Sequence, residues 1–186
     1  MLVNAWGMKP EVSARSRFTA IDFETANCKR NSACAVAMVR VESGRIVDRV
    51  ARLIRPPESS FSFSHVHGIT WKSVSNEPAF AEVWSSLSCI TQNIDFLVAH
   101  NASFDKAVLN GCCEHSGIRP PDLPFHCTVL LSRRYFNLGS VSLPCVCRHL
   151  GISLSHHDPA SDAEACARIM LAVLQHERIG TVVNAR

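Results

Sequence analysis

The alternation of apolar and polar positions divides the chain into a strand-rich first third and a remainder in which strands alternate with helices. Three apolar, β-branched runs, about residues 17–23, 33–41 and 45–54, read as strands, and Glu42-Ser43-Gly44 makes a tight turn between the last two. Together they predict an antiparallel meander. Pro56-Pro57 and the serine-rich stretch to Ser64 predict a loop, after which Phe80, Val83, Trp84 and Leu87 recur at helical spacing over residues 79–91. Phe96-Leu97-Val98-Ala99 is a short apolar strand. From Ser103, read as a helix cap, the period becomes helical through Phe104, Ala107, Val108, Gly111 and Cys112. Beyond Pro120-Pro121 come a short strand near residues 125–128 and helices near 129–136 and 141–150. Pro144 would break the interior of the second of these, which moves its start later. Asp158 as cap and Pro159 in the first turn open a last helix over about 159–177, with Ala163, Cys166, Ala167, Met170, Leu171 and Leu174 as its apolar stripe. Three antiparallel strands followed by this alternation predict an α/β domain with a mixed sheet.

The polar positions that interrupt these runs carry the chemistry. Side chains two apart on a strand share a face, so Asp22 and Glu24 project together while Ile21 and Phe23 point the other way into a core. Asp105 falls in the first turn of the helix after the fourth strand. Asp162 falls in the first turn of the last helix, beside the loop that carries His157. The helix dipole favours an acid at both places. Four carboxylates supply the hard oxygen ligands that magnesium or manganese requires, and the set reads as a two-metal phosphodiesterase site. Two ions roughly 3.5 to 4 Å apart can activate a water on one side of a phosphoryl group and stabilise the leaving oxygen on the other. An acid-x-acid pair alone is a weak signal, since most such pairs are solvated strand ends; the ordered set is the stronger one.

With those residues in place, the chain resembles the DEDDh branch of the DnaQ-like 3′-to-5′ exonucleases over roughly residues 17–175. That group includes the proofreading subunit of bacterial DNA polymerase III. The matching motifs are Asp22-Phe23-Glu24-Thr25, His100-Asn101 followed by Phe104-Asp105, and His157 with Asp162 five positions later. Leu53-Ile54-Arg55-Pro56, His67-Gly68-Ile69-Thr70 and His149-Leu150-Gly151-Ile152 match between them. The resemblance implies a ribonuclease-H-like fold: a five-stranded mixed sheet, its three antiparallel strands first, flanked by helices. It implies two Mg2+ or Mn2+ ions per active site. Asp22 is then expected to bridge both ions, Glu24 and Asp162 to complete the site of the attacking water, and Asp105 to support the second ion. His157 is the implied general base, since an imidazole can be neutral at working pH and accept the water's proton. Phe23, Thr25, His67, Asn101 and Phe104 are the implied substrate contacts, with a role in turn structure standing beside substrate contact for His67. His156 reads as a loop or substrate-rim residue, His100 as structural, His65 as an exposed loop residue, and Trp71 and Trp84 as core or rim aromatics.

The expected reaction is hydrolysis of phosphodiester bonds at 3′ ends, releasing nucleoside monophosphates, with single-stranded DNA as the leading substrate. Short RNA is the alternative, because no stretch of sequence marks a contact to the 2′ position of the sugar. A catalytically silent nucleic-acid-binding domain of the same fold is opposed by the presence of all five reactive residues. An endonuclease would need an open groove in place of a pocket closed around a chain end.

Composition narrows the setting without naming the chemistry. At 186 residues, 47% hydrophobic and 19% charged, the chain is long enough for one buried domain. Residues 1–16 are expected to be a flexible extension, 17–177 the exonuclease domain and 178–186 a short tail, with Met8 a second candidate start. A formal net charge of +3 permits a nucleic-acid partner, and Lys29, Arg30, Arg133 and Arg134 are the candidate phosphate contacts. No apolar run is long enough to span a bilayer and no secretory signal precedes the first strand, which gives a cytoplasmic reading without a membrane partner. Nine cysteines are an odd count, and Cys34, Cys89, Cys127 and Cys166 read as reduced core thiols. Cys112-Cys113 and Cys145-x-Cys147 lack the spacing of a zinc site, so no structural zinc is expected. No motif indicates a polymerase partner or an oligomeric state, and the short tail favours an independent nuclease.

Overall fold

A computed structural model describes residues 16–183, with side chains through residue 177. Of the flexible extension expected over residues 1–16, Ser16 is described and is buried; the rest of it, and a start at Met8, lie outside the described residues. Strands β1 (Phe18–Thr25), β2 (Ala33–Glu42) and β3 (Arg45–Leu53) form the expected meander. β4 (Phe96–Ala99) and β5 (Phe125–Cys127) add in parallel, giving the order β3-β2-β1-β4-β5. β2 is almost wholly apolar because it lies inside the sheet and is covered on both faces, whereas β3, rich in arginine, is an exposed edge.

The sheet's two faces carry two different cores. Phe18, Ala20, Ala37, Val39 and Val98 face α8 (Pro159–Val183), which lays Ala163, Cys166, Ala167 and Met170 against them. Ile21, Phe23, Val36, Met38 and Leu97 face the opposite layer, which includes α5 (Ala102–His115) with Val108, Leu109 and Cys112. Period-2 alternation along β1 therefore sends Asp22 and Glu24 to the α8 side, at the end of the row Phe18-Ala20.

Several element boundaries differ from those the pattern predicts. The helix expected over 79–91 is two, α3 (Phe80–Ser86) and α4 (Ser88–Thr91), broken at Leu87, where the chain turns so that both Leu87 and Ile90 reach the core. Two four-residue helices, α1 (Ser64–His67) and α2 (Trp71–Val74), follow the proline- and serine-rich loop; a single turn is too short to show a period. The helices near 129–136 and 141–150 are α6 (Thr128–Tyr135) and α7 (Leu143–Leu150). The latter starts late, as Pro144 requires, behind Ser142 at its N-cap. α8 continues past 177 to Val183, so the expected tail begins as helix. Ser103 is not the cap of α5: the cap position is Asn101, and the Ser103 hydroxyl donates to Asn101 Oδ1 at 3.3 Å. All nine cysteines are free, but only Cys34 and Cys166 of the four expected core thiols are buried; Cys127 is half-buried and Cys89 is exposed on α4. Trp71 packs beside Val74, and Trp84 stacks on Phe80 with centroids 5.7 Å apart, so both are packing aromatics.

Candidate active site

Three elements deliver the carboxylates to one place. β1 is the central strand, and across the β1–β2 ladder Asp22 and Glu24 stand opposite Ala37 and Ala35, whose small side chains leave room for them. β4 pairs with β1 only as far as Ala20↔Val98 and ends at Ala99. Beyond that point the Phe23 N–H has no strand partner on the β4 side, and Asp105 Oδ1 accepts it at 3.1 Å. Asp105 thus reaches the floor of the site from the first turn of α5, at 2% exposure. The chain enters α5 through Asn101, held in the left-handed region at φ 69°, which asparagine tolerates better than most residues.

The fourth carboxylate comes from α8. Asp158 opens that helix, its Oδ1 accepting the Ala160 N–H and its carbonyl the Asp162 N–H. His157 also lies in the left-handed region, at φ 69°, and this turn points its N–H back at Asp162 Oδ2, 3.1 Å away. The same oxygen accepts from His156 Nδ1 at 3.0 Å, and the two imidazoles stack with centroids 3.9 Å apart. His156, expected at the rim, is therefore also bonded to a proposed ligand. Asp162 Oδ1 is buried without a hydrogen-bond partner.

These groups border a cleft of about 920 Å³. Asp22, Glu24, Asp162 and His157 line it, as do Phe23, Thr25, His67, Asn101 and Phe104. Asp105 sits beneath the surface. Phe63 and Val66 form one apolar wall, and the segment from Leu138 to Leu143 forms the other. His100 fixes that second wall: its Nε2–H donates to the Val141 carbonyl at 3.1 Å, and its Nδ1 pairs with the Thr128 hydroxyl at 2.8 Å. His67 serves both of the roles considered for it. Its Nδ1 accepts the Ile69 N–H, so Nε2 carries the proton and donates to the Thr25 carbonyl at 3.1 Å, while the ring faces the cleft. Sequence reasoning missed Phe63, Val66 and the 138–143 wall. The one available signal was Gly139 between two short helical patterns. Of the candidate phosphate contacts, Arg133 lines the cleft, whereas Lys29 pairs with Glu58 and Arg134 lies over the Tyr135 ring.

Burial and mutual repulsion make the carboxylates reluctant to ionise. Asp22 is held well above the usual carboxylate range by burial and then by the charges of Asp105, Asp162, Glu24 and Asp158. Burial pushes Glu24 up to about 7, with Asp162 adding to it, and Asp105 to about 8, against the lowering effect of the Phe23 N–H. Asp162 is raised by burial, though the His157 N–H and the His156 ring oppose this. His67 is pushed down by burial, and burial pushes His100 down to about 4. Such a group of acids calls for positive charge. The unpartnered Asp162 oxygen and an all-carboxylate donor set fit a hard divalent cation.

Comparison with known proteins gives the site a context. The family model RNase_T, described as Exonuclease, matches residues 19–170. The DNA polymerase III PolC-type of Clostridium perfringens is 31% identical over 165 residues, which cover 86% of this chain but 11% of that protein. This chain therefore spans a small part of the relative's length. Among solved structures, Exonuclease X in complex with 5′ overhanging duplex DNA aligns with a TM-score of 0.70 at 23% identity, covering 85% of this chain and 91% of that one. The nuclease domain of 3′hExo, a DEDDh family member bound to rAMP, aligns with a TM-score of 0.71 at 19% identity, covering 87% and 92%. These two likenesses establish the ribonuclease-H-like fold.

Proposed function

This chain belongs to the RNase_T exonuclease family, of DnaQ-like, DEDDh type, and from that membership we propose that it is a two-metal 3′-to-5′ exonuclease releasing nucleoside monophosphates from single-stranded DNA. The observation that carries the proposal is the convergence of Asp22 and Glu24 from β1 and Asp162 from α8 in one cleft, with Asp105 of α5 buried beneath them. A volume of about 920 Å³ suits the end of a strand, with its base against Phe104, Phe63 and Val66.

Asp22, Glu24 and Asp162, with Asp105 behind them, would hold Mg2+ or Mn2+. Bound there, such ions lower the pKa of the attacking water and compensate charge on the phosphoryl group and the leaving oxygen. The protein's own groups do the rest. His157, at the mouth of the cleft beside Asp162, accepts the water's proton. Asp162 Oδ2 fixes the backbone of the loop that presents His157, and His67 fixes the Thr25 carbonyl at the opposite side. His100 keeps the 138–143 wall in place through its bond to the Val141 carbonyl.

DNA is preferred over RNA because the PolC-type relative is a DNA polymerase; RNA remains the second reading, favoured by the rAMP-bound neighbour. No helix among the described residues is long and apolar enough to cross a membrane, and a cytoplasmic enzyme is part of the proposal. The test compares linear single-stranded DNA, the same strand with a blocked 3′ end, and a closed circle, in magnesium or manganese. Only the free linear end should be degraded. Internal cuts in the circle at rates near those on the linear strand would refute the exonuclease reading.

A further inference from the structure

The loop before α8 carries two imidazoles where the proposed chemistry uses one. His156 is 40% exposed at its side chain, yet its Nδ1 lies 3.0 Å from Asp162 Oδ2, and its ring stacks on His157 at 3.9 Å. One ligand atom from each of His156, His157 and Asp162 can be chosen so that all three lie within 4.8 Å of one another. The carboxylate is 6% exposed, with its other oxygen unpartnered. Magnesium has little use for such a set, because it prefers oxygen. Two nitrogens and one carboxylate oxygen are instead the donors that zinc and neighbouring transition metals select.

We propose that His156, His157 and Asp162 form a site for a borderline transition-metal ion, zinc above all, and that its occupation shuts off the nuclease. Tetrahedral zinc, with ligands at about 2.0 to 2.2 Å, needs donor atoms about 3.3 to 3.6 Å apart. The His156–Asp162 pair is already at 3.0 Å, and the exposed His157 ring needs a modest rotation to close the rest. On coordination, the neutral His156 ring carries its proton on Nε2 and offers Nδ1 to the metal, replacing its hydrogen bond to Asp162. Inhibition follows from which groups are used. The ion takes His157, the proposed base, and Asp162, a proposed ligand of the magnesium or manganese pair. This inhibitory part rests on the proposed function; the binding part does not.

The test uses the full chain and zinc itself. Zinc affinity is measured by competition with a chromophoric chelator in excess magnesium, and cobalt is substituted to read the absorption bands of a tetrahedral nitrogen–oxygen site. His156→Ala should bind zinc at least roughly 10- to 100-fold more weakly than wild type, the loss usual for a mere outer-shell partner, and lose the tetrahedral cobalt bands. Nuclease rates, each normalised to that variant's own magnesium-supported rate, should fall with zinc in the wild type at concentrations His156→Ala withstands. Equal zinc affinity and equal cobalt spectra in the two proteins would overturn the site. A loss of affinity in His156→Ala with unchanged zinc sensitivity of the nuclease would overturn the inhibitory role. A wild type without nuclease activity would contradict the proposed function, while the binding comparison would still decide whether the site exists.

Discussion

Asp22 and His157 stand at the centre of the proposed chemistry, both lining the cleft. Asp22 is half-buried among Asp105, Asp162 and Glu24, each of which raises its pKa. Asp22→Ala should therefore abolish cleavage while leaving the fold intact, and partial oligonucleotide binding should survive. Near wild-type turnover in saturating manganese would be incompatible with its role as a ligand. His157→Ala should lose about 10² to 10⁴-fold in rate, the usual worth of a general base, with binding of magnesium or manganese retained. His156→Ala should lose far less, although it too bonds to Asp162. Side-by-side pH–rate profiles decide between them, and a deep loss confined to His156→Ala would reverse the assignment. Individual residues were legible in the sequence where their chemistry combines with spacing, as with Asp22 and Glu24 on one strand face. His156 was not, because its bond to Asp162 depends on the left-handed turn at His157, which no side-chain pattern announces.

Strands and long helices could be read from periodicity, and their placement of Asp22, Asp105 and Asp162 followed. α1, α2 and the 138–143 wall could not, since segments of one turn or less have no period and are fixed by tertiary bonds such as His100 to the Val141 carbonyl. α5 packs closely on the loop after β1 at Gly111. A Cβ there would lie 2.6 Å from Arg30 Cβ and 2.9 Å from the Arg30 carbonyl carbon, a contact that chain movement alone can relieve. Gly111→Ala should cost about 1 to 3 kcal/mol in stability. By displacing the helix that carries Asp105, it should also lower activity. Chemical denaturation and turnover together check this; unchanged stability would mean that α5 and the loop are not held in that contact.

The whole molecule gives up stability to concentrate acids on the floor of its cleft. Glu24 and Asp105 rise from ordinary values of 4.5 and 3.8 to about 7 and about 8 in the fold. Between those limits the native state holds protons that the unfolded chain has released, so their contribution is present at low pH and lost as pH rises through about 7 to 8. Metal-free protein should accordingly lose thermal stability from pH 5 to pH 8, less so in Asp22→Ala. Magnesium or manganese should raise the Tm more at pH 8 than at pH 5, because the cations replace the protons. A metal-free Tm that held constant or rose over this range in both proteins would mean that the acids are not coupled as described. The central claim, a metal-dependent nuclease working from 3′ ends, is tested most directly by a time course on matched 5′-labelled DNA and RNA oligonucleotides with magnesium or manganese. The expected result is a ladder shortening one nucleotide at a time, faster on DNA and absent with chelator or in Asp22→Ala. Intact substrates under every metal condition, or early internal fragments without a ladder, would contradict it.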